Sequence, residues 1–500
     1  MDKITIQKKN EVFLHIKTDP SIEMELSEHF QFFVPGYKFM PAYRNRMWDG
    51  KIRLFDSRKK TLYTGLHKYL QEFCDVRDYK LEVIDSPQYG ALESSLEPNI
   101  EGLLSQMSLS VNGGDIIPRQ YQLEGLSHTL SKEKSLLLSP TASGKSLIIY
   151  LAIRYYLDCF DGSILLIVPT TSLVEQMYSD FADYSSKDTW SHEESCHKIY
   201  SGREKFGVKQ RVIISTWQSI YKLPGSWFSG FGMVIGDEAH NFKAKSLTSI
   251  LEKCTEAKYR IGTTGTLDGS QTHQLVLEGL FGPVYKVTTT KELMDNNDLA
   301  QLEINILILK YKEELCKAVV KSKYQEELDF IVKYEPRNNF ISNLALDQTG
   351  NTLILFNYVD KHGKPLFDMI NDKVEEGRKV FYVSGEVETS DREAIREITE
   401  KQKNAIIVAS LGTFSTGINI KNLHNIVFAS PSKSQIKVLQ SIGRGLRKAD
   451  DGRHTRLFDI ADDLHTKSRK NYALLHSEER VKIYNKEKFD YKIIEVPIGN

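Results

Sequence analysis

The sequence predicts an α/β protein with two tandem parallel-sheet lobes behind a small N-terminal α+β domain. From residue 116 onward, apolar runs of strand length alternate with helical segments, which is typical of a parallel sheet flanked by helices. A second series of the same kind begins near residue 302. The length of 500 residues also suggests about three domains of roughly 150 residues each.

The composition is that of a soluble globular protein, with 40% hydrophobic and 26% charged residues. No apolar run approaches the roughly 18–20 residues of a membrane helix, and the first residues contain no signal-peptide core. The five cysteines form no C-x-x-C pair, so we expect reduced thiols and a cytoplasmic protein. The net charge of +0 does not exclude nucleic acid, because binding depends on local clustering of charge.

Residues 1–85 are predicted to form the small N-terminal domain. Val12, Leu14 and Ile16 alternate with other residues as in a strand, and residues 21–33 have a helical pattern. Residues 86–115 are rich in Ser, Gly, Glu and Pro with weak periodicity, which predicts a linker to the first lobe.

The first lobe is assigned to residues 116–295. Its helices are predicted from sets such as Leu173, Val174, Met177 and Phe181, which fall on one helical face. Its strands are predicted at residues 136–138, 164–168, 212–214 and 233–235.

A phosphate-binding loop lies in this lobe, where Gly144, Lys145 and Ser146 follow an apolar strand and open an apolar helix. Backbone N–H groups at such a helix N-terminus face phosphates, the lysine reaches the β and γ oxygens, and the serine hydroxyl binds Mg²⁺. The residues predicted to bind the nucleotide are Ser139, Pro140, Thr141, Ala142, Ser143, Gly144, Lys145 and Ser146.

Two carboxylates, Asp237 and Glu238, come at the end of the predicted buried strand 233–235. We predict that Asp237 holds the metal together with Ser146, and that Glu238 orients and deprotonates the attacking water. The loop and the carboxylate pair together predict an enzyme that binds a nucleoside triphosphate with Mg²⁺ and hydrolyses it.

The second lobe is assigned to residues 296–465 and has no phosphate loop of its own. Residues 466–500 are mixed in charge and predict a C-terminal helical extension with a short extended end. The strands of the second lobe are predicted at residues 304–309, 352–356, 380–383, 406–409 and 426–429.

In their order along the chain, these motifs resemble those of the superfamily 2 helicases and translocases, whose two RecA-like lobes sandwich ATP between them. The resemblance covers about residues 116–462, and the whole chain looks most like the phage recombination helicases of that superfamily. The segments that carry the resemblance are 118–122, 139–146, 168–171, 215–218, 237–240, 262–266, 411–419 and 440–447.

The resemblance implies further nucleotide contacts beyond the phosphate loop. A carboxamide can both donate to and accept from the adenine edge, which suits Gln122, and Gly417 lies in a segment that approaches the nucleotide. Gln440, Arg444 and Arg447 match the motif whose arginines stabilise the charge developing on the transferred phosphoryl group; the two arginines lie three apart on one helical face.

Two departures from the family pattern fall in the phosphate loop. Ala142 stands where many members have glycine, and Ser139 stands where they have glycine or alanine. Neither adds bulk that should block phosphate, so hydrolysis of ATP is still expected.

The resemblance also implies contacts with the backbone of one DNA strand. Pro169, Thr170, Ser215 and Thr216 match segments that hold phosphates through hydroxyls and N–H groups at helix N-termini, and Thr413 lies in the matching segment of the second lobe. Capping of helices by Thr171 or Ser215 is an alternative use of these hydroxyls.

The segment 262–266 matches the motif that couples hydrolysis to movement of the lobes. A turn of small, hydroxyl-bearing residues beside the carboxylates can bond to them, which implies roles for Thr264 and Thr266. His240 is expected to join this coupling network rather than bind metal, because its neighbours are carboxylates already used by Mg²⁺.

Three functions remain open at this point. The first is a DNA helicase, for which the resemblance implies unwinding of Holliday junctions, regressed forks and RNA–DNA hybrids by a monomer that acts on branched and single-stranded DNA. A phage protein of this kind would act in the host cytoplasm. The second is a duplex translocase of the remodelling or restriction type, and the third is an ATP-binding interaction platform without motor activity. The complete set of catalytic residues argues against the platform, and the absence of a clear nuclease constellation in the first ~115 residues argues against a restriction motor. A helicase acting on branched DNA is the preferred interpretation.

The N-terminal domain carries its own candidate DNA contact. Asp49 and Gly50 predict a two-residue hairpin turn with Arg46 opposite Arg53, and with Met47, Ile52 and Leu54 on the core face. Residues 44–60 hold seven basic and two acidic side chains, an excess that phosphates would neutralise. A solvated ribbon packed on a neighbouring lobe is the alternative. The predicted DNA contacts are Arg44, Arg46, Trp48, Lys51 and Arg53.

Overall fold

The computed structural model describes the chain except residues 1, 94–95, 268, 386–394, 396–397, 400, 418–421, 431–441, 444–445, 447–453, 468 and 500. The described chain forms two compact units, one extending to Val287 and the other from Thr288 onward, with residues 140–143 grouped with the second. Over these described residues, no helix combines the length and the apolar character that crossing a membrane requires.

The N-terminal domain is built on a mixed sheet in the order β5-β6-β2-β1-β7, with β1 and β7 parallel and the other pairs antiparallel. Ile4, Ile6, Leu14 and Ile16 alternate inward along β1 and β2 and are completely buried. The strands are β1 (Lys3–Lys8), β2 (Phe13–Lys17), β3 (Gln31–Phe33), β4 (Lys51–Arg53), β5 (Phe55–Asp56), β6 (Thr61–Tyr63) and β7 (Lys80–Ile84). The helices are α1 (Pro20–His29), α2 (Pro41–Arg44) and α3 (His67–Arg77).

The predicted hairpin at Asp49 and Gly50 is wrong in its register. Gly50 does have positive φ (82°), but β4 pairs with β3, and Phe32 lies opposite Ile52. Pro41 instead starts the short helix α2, and Arg46 takes a left-handed φ of 56°. The apolar pair on β3 and β4 therefore decides the pairing, and the turn signal is only local.

Two further parts of the hairpin prediction fail with this register. Met47 is 80% exposed rather than part of the core. Arg53 forms an ion pair with Asp49 instead of facing Arg46. The like-charge pair that the predicted register required is therefore not formed.

The N-terminal domain packs firmly on the first lobe, within one unit of the structure. One apolar core runs from Ile4 and Leu14 in the small domain to Phe281 in the lobe. Across the same boundary, the Tyr63 hydroxyl donates to Glu252 Oε1 at 2.6 Å, and the Tyr69 hydroxyl donates to Glu278. The two parts therefore form one folded body.

The segment predicted as a linker is partly folded structure. Residues 86–115 contain α4 (Ile100–Ser105) and the short ribbon of β8 (Ser110–Val111) and β9 (Gly114–Asp115). Leu103 and Leu109 are buried in the core of the first lobe. The apolar residues of the segment 86–115 are too sparse to give a periodic pattern, which is why its composition suggested a linker.

The first lobe has a seven-stranded, entirely parallel sheet in the order β12-β13-β11-β14-β15-β10-β16. Leu136 and Leu137 are neighbours in β10 that belong to different cores, one on each face of the sheet. Burial on both faces explains the continuous apolar runs from which the strands were predicted. The strands are β10 (Lys134–Leu138), β11 (Ser163–Val168), β12 (Cys196–Ile199), β13 (Val212–Thr216), β14 (Phe231–Asp237), β15 (Tyr259–Thr264) and β16 (Val284–Lys286). The helices are α5 (Gln120–Lys132), α6 (Lys145–Cys159), α7 (Thr171–Tyr184), α8 (His192–Ser195), α9 (Trp217–Ile220), α10 (Gly225–Phe228), α11 (Lys245–Lys253) and α12 (Gln271–Phe281).

The second lobe has another seven-stranded parallel sheet, in the order β19-β20-β18-β21-β22-β17-β23. The prediction of two tandem parallel-sheet lobes behind an α+β domain is thereby confirmed. The strands are β17 (Leu302–Lys310), β18 (Thr352–Phe356), β19 (Val380–Val383), β20 (Ile406–Ser410), β21 (Asn425–Phe428), β22 (Thr455–Asp463) and β23 (Tyr491–Pro497). The helices are α13 (Thr290–Asp295), α14 (Glu313–Val319), α15 (Tyr324–Lys333), α16 (Glu335–Asp347), α17 (Lys364–Asn371), α18 (Leu411–Gly417) and α19 (Tyr472–Lys486).

The C-terminal extension is part of the second lobe rather than an appendage. On its helix α19, the completely buried Arg480 forms an ion pair with Asp459 of β22. The Tyr484 hydroxyl donates to the same carboxylate at 2.8 Å. Its last strand, β23, adds to the edge of the sheet beside β17. A buried charge needs its partner, so this ion pair fixes the helix to the sheet.

Candidate ATPase site

The strand register of the first lobe brings the predicted nucleotide-binding and catalytic segments to one edge of the sheet. Leu138, at the end of β10, lies opposite Thr264 of β15, and Asp237, at the end of β14, lies opposite Thr263. The Ser139 N–H donates to the Thr264 carbonyl at 2.9 Å. The phosphate loop, the carboxylates and the segment 262–266 are therefore neighbours, as expected for a ligand site at the carboxyl ends of parallel strands.

The phosphate loop is held in a tight turn by its own residues. The Ser143 hydroxyl donates to the Pro140 carbonyl at 2.7 Å. Ala142 and Gly144 have left-handed φ values of 66° and 78°. A left-handed residue other than glycine costs about 1–2 kcal/mol, which explains why related loops favour glycine at the position of Ala142. The alanine is compatible with the turn but strained.

Gln122 lies beside this loop, near the start of α5. Its side chain is buried, and its Oε1 accepts the Arg119 N–H at 2.8 Å. A Cβ atom on Gly144 would collide with Gln122 Nε2, so glycine is needed there both for its φ and for this close approach. The structure places Gln122 at the phosphate loop, and its contact with adenine remains a prediction.

Asp237 is well suited to hold a cation. It is 5% exposed, and its Oδ1 accepts the Thr263 hydroxyl at 2.7 Å. Burial raises the pKa of Asp237, and the Lys145 ammonium opposes that shift. A carboxylate and a serine hydroxyl are hard oxygen ligands of the kind that Mg²⁺ takes. Asp237 and Ser146 therefore fit the predicted magnesium ion.

Glu238 links the phosphate-loop lysine to the coupling segment. Its Oε1 lies 3.8 Å from Lys145 Nζ, and its Oε2 lies 3.4 Å from His240 Nδ1. His240 Nδ1 also lies 3.0 Å from Thr264 Oγ1, and that hydroxyl donates to the Thr266 carbonyl at 2.9 Å. The structure thus brings together Lys145, Glu238 and all three predicted coupling residues.

Glu238 also has an unusual backbone. Its φ of 50° is left-handed, and the residue directly precedes the 3₁₀ turn Ala239–Lys243. Non-glycine residues in this region are uncommon and cluster at functional sites, where the surrounding structure holds them. Here the strained residue is the one predicted to activate water.

The predicted DNA contacts of the first lobe lie at the ends of β11 and β13. Thr170 rather than Thr171 caps the N-terminus of α7, and its Oγ1 accepts the Leu173 N–H at 3.3 Å. Gln218 Nε2 donates to the Pro169 carbonyl at 3.3 Å and ties the two segments together. Pro169 and Thr170 therefore share one surface with the segment after β13.

The hydroxyls of Ser215 and Thr216 face inward. Ser215 is completely buried, and its Oγ lies 3.2 Å from the Ile199 carbonyl. Thr216 precedes α9 and pairs with Ser219 through its Oγ1 at 2.9 Å. Both hydroxyls bond inside the lobe, and the contact of Ser215 and Thr216 with DNA remains a prediction.

The second lobe contributes fewer described site residues. Thr413 lies in α18, and its Oγ1 accepts the Ser410 hydroxyl at 2.7 Å. Gly417 is the last residue of the same helix. Gln440, Arg444 and Arg447 lie outside the described residues.

The sequence interpretation named Thr264 and Thr266 but missed Thr263. This residue donates the hydrogen bond to Asp237, because the parallel register sets it beside that carboxylate. The sequence interpretation treated residues 262–266 as a turn beside the carboxylates and predicted no strand there, so it contained no signal for the register that sets Thr263 opposite Asp237.

Comparisons with known proteins agree with this arrangement. A model described as the N-terminal domain of the DNA helicase UvsW matches residues 3–85. A model of the type III restriction enzyme res subunit matches residues 115–269, and the helicase conserved C-terminal domain matches residues 336–449. The chain is 36% identical over 497 residues to the ATP-dependent DNA helicase uvsW of Enterobacteria phage T4, which spans 96% of this chain and 97% of that protein. The chain belongs to the UvsW family of superfamily 2 helicases.

Solved structures extend this result. The crystal structure of T4 UvsW is 34% identical and covers 99% of both chains, with a TM-score of 0.52. A fragment of a putative HsdR subunit of a type I restriction enzyme from Vibrio vulnificus covers 80% of this chain and 72% of its own, with 17% identity and a TM-score of 0.58. That second likeness shows the fold alone, whereas the UvsW match includes the N-terminal domain.

Proposed function

We propose that this protein is an ATP-dependent DNA helicase that unwinds or branch-migrates branched DNA, including Holliday junctions, stalled or regressed forks and R-loops. The observation that carries the proposal is the likeness to a DNA helicase along 96% of the chain, including the N-terminal domain. A duplex translocase of the restriction type would share only the two lobes. We further propose that the protein acts as a monomer in the cytoplasm, and that RNA–DNA hybrids are among its substrates.

The residues at the carboxyl ends of the first lobe's strands account for the proposed hydrolysis of ATP. Lys145 is positioned to neutralise charge on the ATP phosphates, and Ser146 and Asp237 would hold Mg²⁺, which supplies further positive charge at the transferred phosphoryl group. Glu238 accepts a proton from the attacking water, and its Oε1 lies 3.8 Å from Lys145 Nζ. We assign stabilisation of the transition state to Arg444 and Arg447, with Gln440 in the same motif.

The energy of hydrolysis would reach DNA through the contacts that Glu238 makes. His240 touches both the Glu238 carboxylate and Thr264, and Thr264 bonds to Thr266. When the charge at Glu238 changes during the reaction, His240 and this segment experience the change first. This path supports the proposed role of His240, Thr264 and Thr266 in coupling.

The N-terminal domain supports the preference for branched DNA. Between β3 and β4, residues 34–50 project from the ribbon and form a surface cleft of about 630 Å³. Phosphates would neutralise its basic side chains, and Trp48 offers a face for stacking on an unpaired base. The cleft is lined by Lys38, Tyr43, Arg44, Arg46, Met47, Trp48 and Asp49.

The five predicted DNA contacts of this domain divide into two groups. Arg44, Arg46 and Trp48 line the cleft. Lys51 Nζ instead lies over the Phe33 ring, 5.0 Å from its centroid, and Arg53 is paired with Asp49. We therefore propose Arg44 and Arg46 as the main phosphate contacts, with Arg53 in a lesser role.

Replacing Arg44 and Arg46 together with alanine should weaken binding to a four-way junction and flatten its dependence on salt. Each lost phosphate contact removes about one unit from the slope of log K against log salt, so a decrease of about two is expected. The measurement is fluorescence anisotropy over a range of salt concentrations. The double variant Lys9→Ala and Lys17→Ala is the matched control, because both lysines are exposed in the same domain and lie outside the cleft lining. An unchanged slope in the double variant would show that the cleft has no role in binding DNA.

The function itself is tested by ATPase and strand-displacement assays with single-stranded, duplex, forked and four-way DNA as separate activators. A helicase of branched DNA should be stimulated most by forks and junctions and should displace a strand from them. Equal stimulation by linear duplex, with no strand displacement, would instead support the duplex translocase. Stimulation by no nucleic acid would support the interaction platform.

A further inference from the structure

A tyrosine from a different helix contacts the serine predicted to bind magnesium. Ser146 is the second residue of α6, and Tyr184 is the last residue of α7. Ser146 Oγ and the Tyr184 hydroxyl lie 2.8 Å apart, and either could be the donor. Nothing in the sequence motifs assigns a role to Tyr184.

The Tyr184 ring is held by the surface of α6. Its centroid lies 5.4 Å from that of Tyr150, which is one helical turn beyond Ser146 on the same face. Tyr150 is completely buried, and its hydroxyl accepts Arg154 Nη1 at 2.6 Å. Arg154 in turn forms an ion pair with Asp188, four residues after Tyr184, at 2.7 Å. These packed groups fix both helices, so the phenol is placed with little freedom to move away.

A serine hydroxyl that binds a cation needs a hydrogen-bond acceptor for its own hydrogen. A hydroxyl has one hydrogen and two lone pairs. When a lone pair points to a cation, the O–H bond must point away from it and needs an acceptor. The Tyr184 hydroxyl is an acceptor at hydrogen-bonding distance. Partners of metal ligands commonly orient the ligand in this way.

We propose that Tyr184 is a positioning residue for the magnesium site: its hydroxyl oxygen accepts a hydrogen bond from the Ser146 hydroxyl, which turns a serine lone pair toward the cation. This inference rests on the proposed function, because it takes Ser146 as a ligand of Mg²⁺. It extends that function by making the affinity for Mg²⁺ depend on the end of α7.

The test is Tyr184→Phe in the full-length protein, which keeps the ring and removes the acceptor. Binding of a fluorescent, non-hydrolysable ATP analogue is measured by anisotropy against free Mg²⁺. We expect the Mg²⁺ concentration that gives half-maximal enhancement of analogue binding to rise about 3–10-fold. Loss of a hydrogen bond of about 1 kcal/mol corresponds to a roughly fivefold change in affinity. Binding in EDTA should stay within about twofold of the wild type, and this arm also reports whether the site is intact.

Two further variants make the result decisive. In the Ser146→Ala background, Tyr184→Phe should have no additional effect, because the partner hydroxyl is gone. Tyr178→Phe, on the same helix but packed under Lys198 Nζ at 4.2 Å, should behave like the wild type. An unchanged or tighter requirement for Mg²⁺ in Tyr184→Phe would overturn the inference. If Ser146→Ala also leaves the Mg²⁺ dependence unchanged, the assignment of Ser146 as a metal ligand fails instead.

Discussion

Lys145→Ala is expected to lower ATP hydrolysis by roughly 1,000-fold or more while leaving the protein folded. Removing one preorganised group that faces the charge of the transition state costs about 10²–10³ in rate, and a fixed positive charge at a transferred phosphoryl group costs more. Lys145 is the first residue of α6, whose buried face is supplied by Ile148, Leu151 and Ala152. The ammonium therefore acts on the nucleotide and contributes little to the core.

The same substitution should also raise the pKa of Asp237, the proposed metal ligand. The Lys145 charge opposes the rise that burial causes in the pKa of Asp237, so its removal raises that pKa further. A group whose pKa has risen is protonated over a wider range of pH, and Mg²⁺ needs the ionised carboxylate. In Lys145→Ala, the Mg²⁺ requirement for nucleotide binding should therefore increase more steeply as the pH falls.

Steady-state ATPase rates with saturating DNA check the main effect, and thermal unfolding checks the fold. Lys245→Ala is a suitable control, because this lysine is exposed at the first residue of α11. Turnover within about tenfold of the wild type in Lys145→Ala would show that the phosphate loop is not the site of hydrolysis.

The sequence predicted four strands of the first sheet and five of the second because parallel strands are buried on both faces, but it predicted no strand at β15 or β22. Leu165 and Leu166, for example, are both completely buried in β11, so the apolar run itself marks the strand. The edge strand β23 has no such signal. Its Ile493 and Ile494 are 57% and 44% exposed, and the segment is interrupted by charges, so it was interpreted only as a short extended end.

The hairpin error has a different cause. The positive φ of Gly50 was predicted correctly, but turn preference describes a few residues and cannot choose a strand's partner. In the structure β4 pairs with β3, and Phe32 and Ile52, which lie opposite each other but twenty residues apart in the chain, both pack against the core. Local signals therefore located the turn and not the pairing.

The candidate site shows the same limit. Lys145 and Glu238 could be found because each lies in a motif directly after a strand. Thr263 required the relative register of β14 and β15, and Tyr184 required the packing of α7 on α6. Contacts of this second kind leave no pattern in the sequence, since Ser146 and Tyr184 are 38 residues apart.

Glu238→Gln is expected to bind ATP nearly as well as the wild type and to hydrolyse it at least about 100-fold more slowly. The amide keeps the shape of the side chain but cannot accept the proton of the attacking water, and general-base catalysis contributes about 10²–10⁴ in rate. The left-handed backbone of Glu238, with φ at 50°, is unaffected by this change, so the geometry of the site should persist.

Asp237→Asn is the informative comparison, because it makes the same chemical change one residue earlier. Asp237 is buried and bonded to Thr263, and its proposed task is to hold the metal. Its variant should therefore require more Mg²⁺ to bind nucleotide, whereas Glu238→Gln should keep a normal Mg²⁺ requirement and lose turnover. Single-turnover ATPase rates and nucleotide binding over a range of Mg²⁺ concentrations separate the two effects. If Glu238→Gln loses Mg²⁺-dependent binding and Asp237→Asn loses only turnover, the roles of the two carboxylates are the reverse of those proposed.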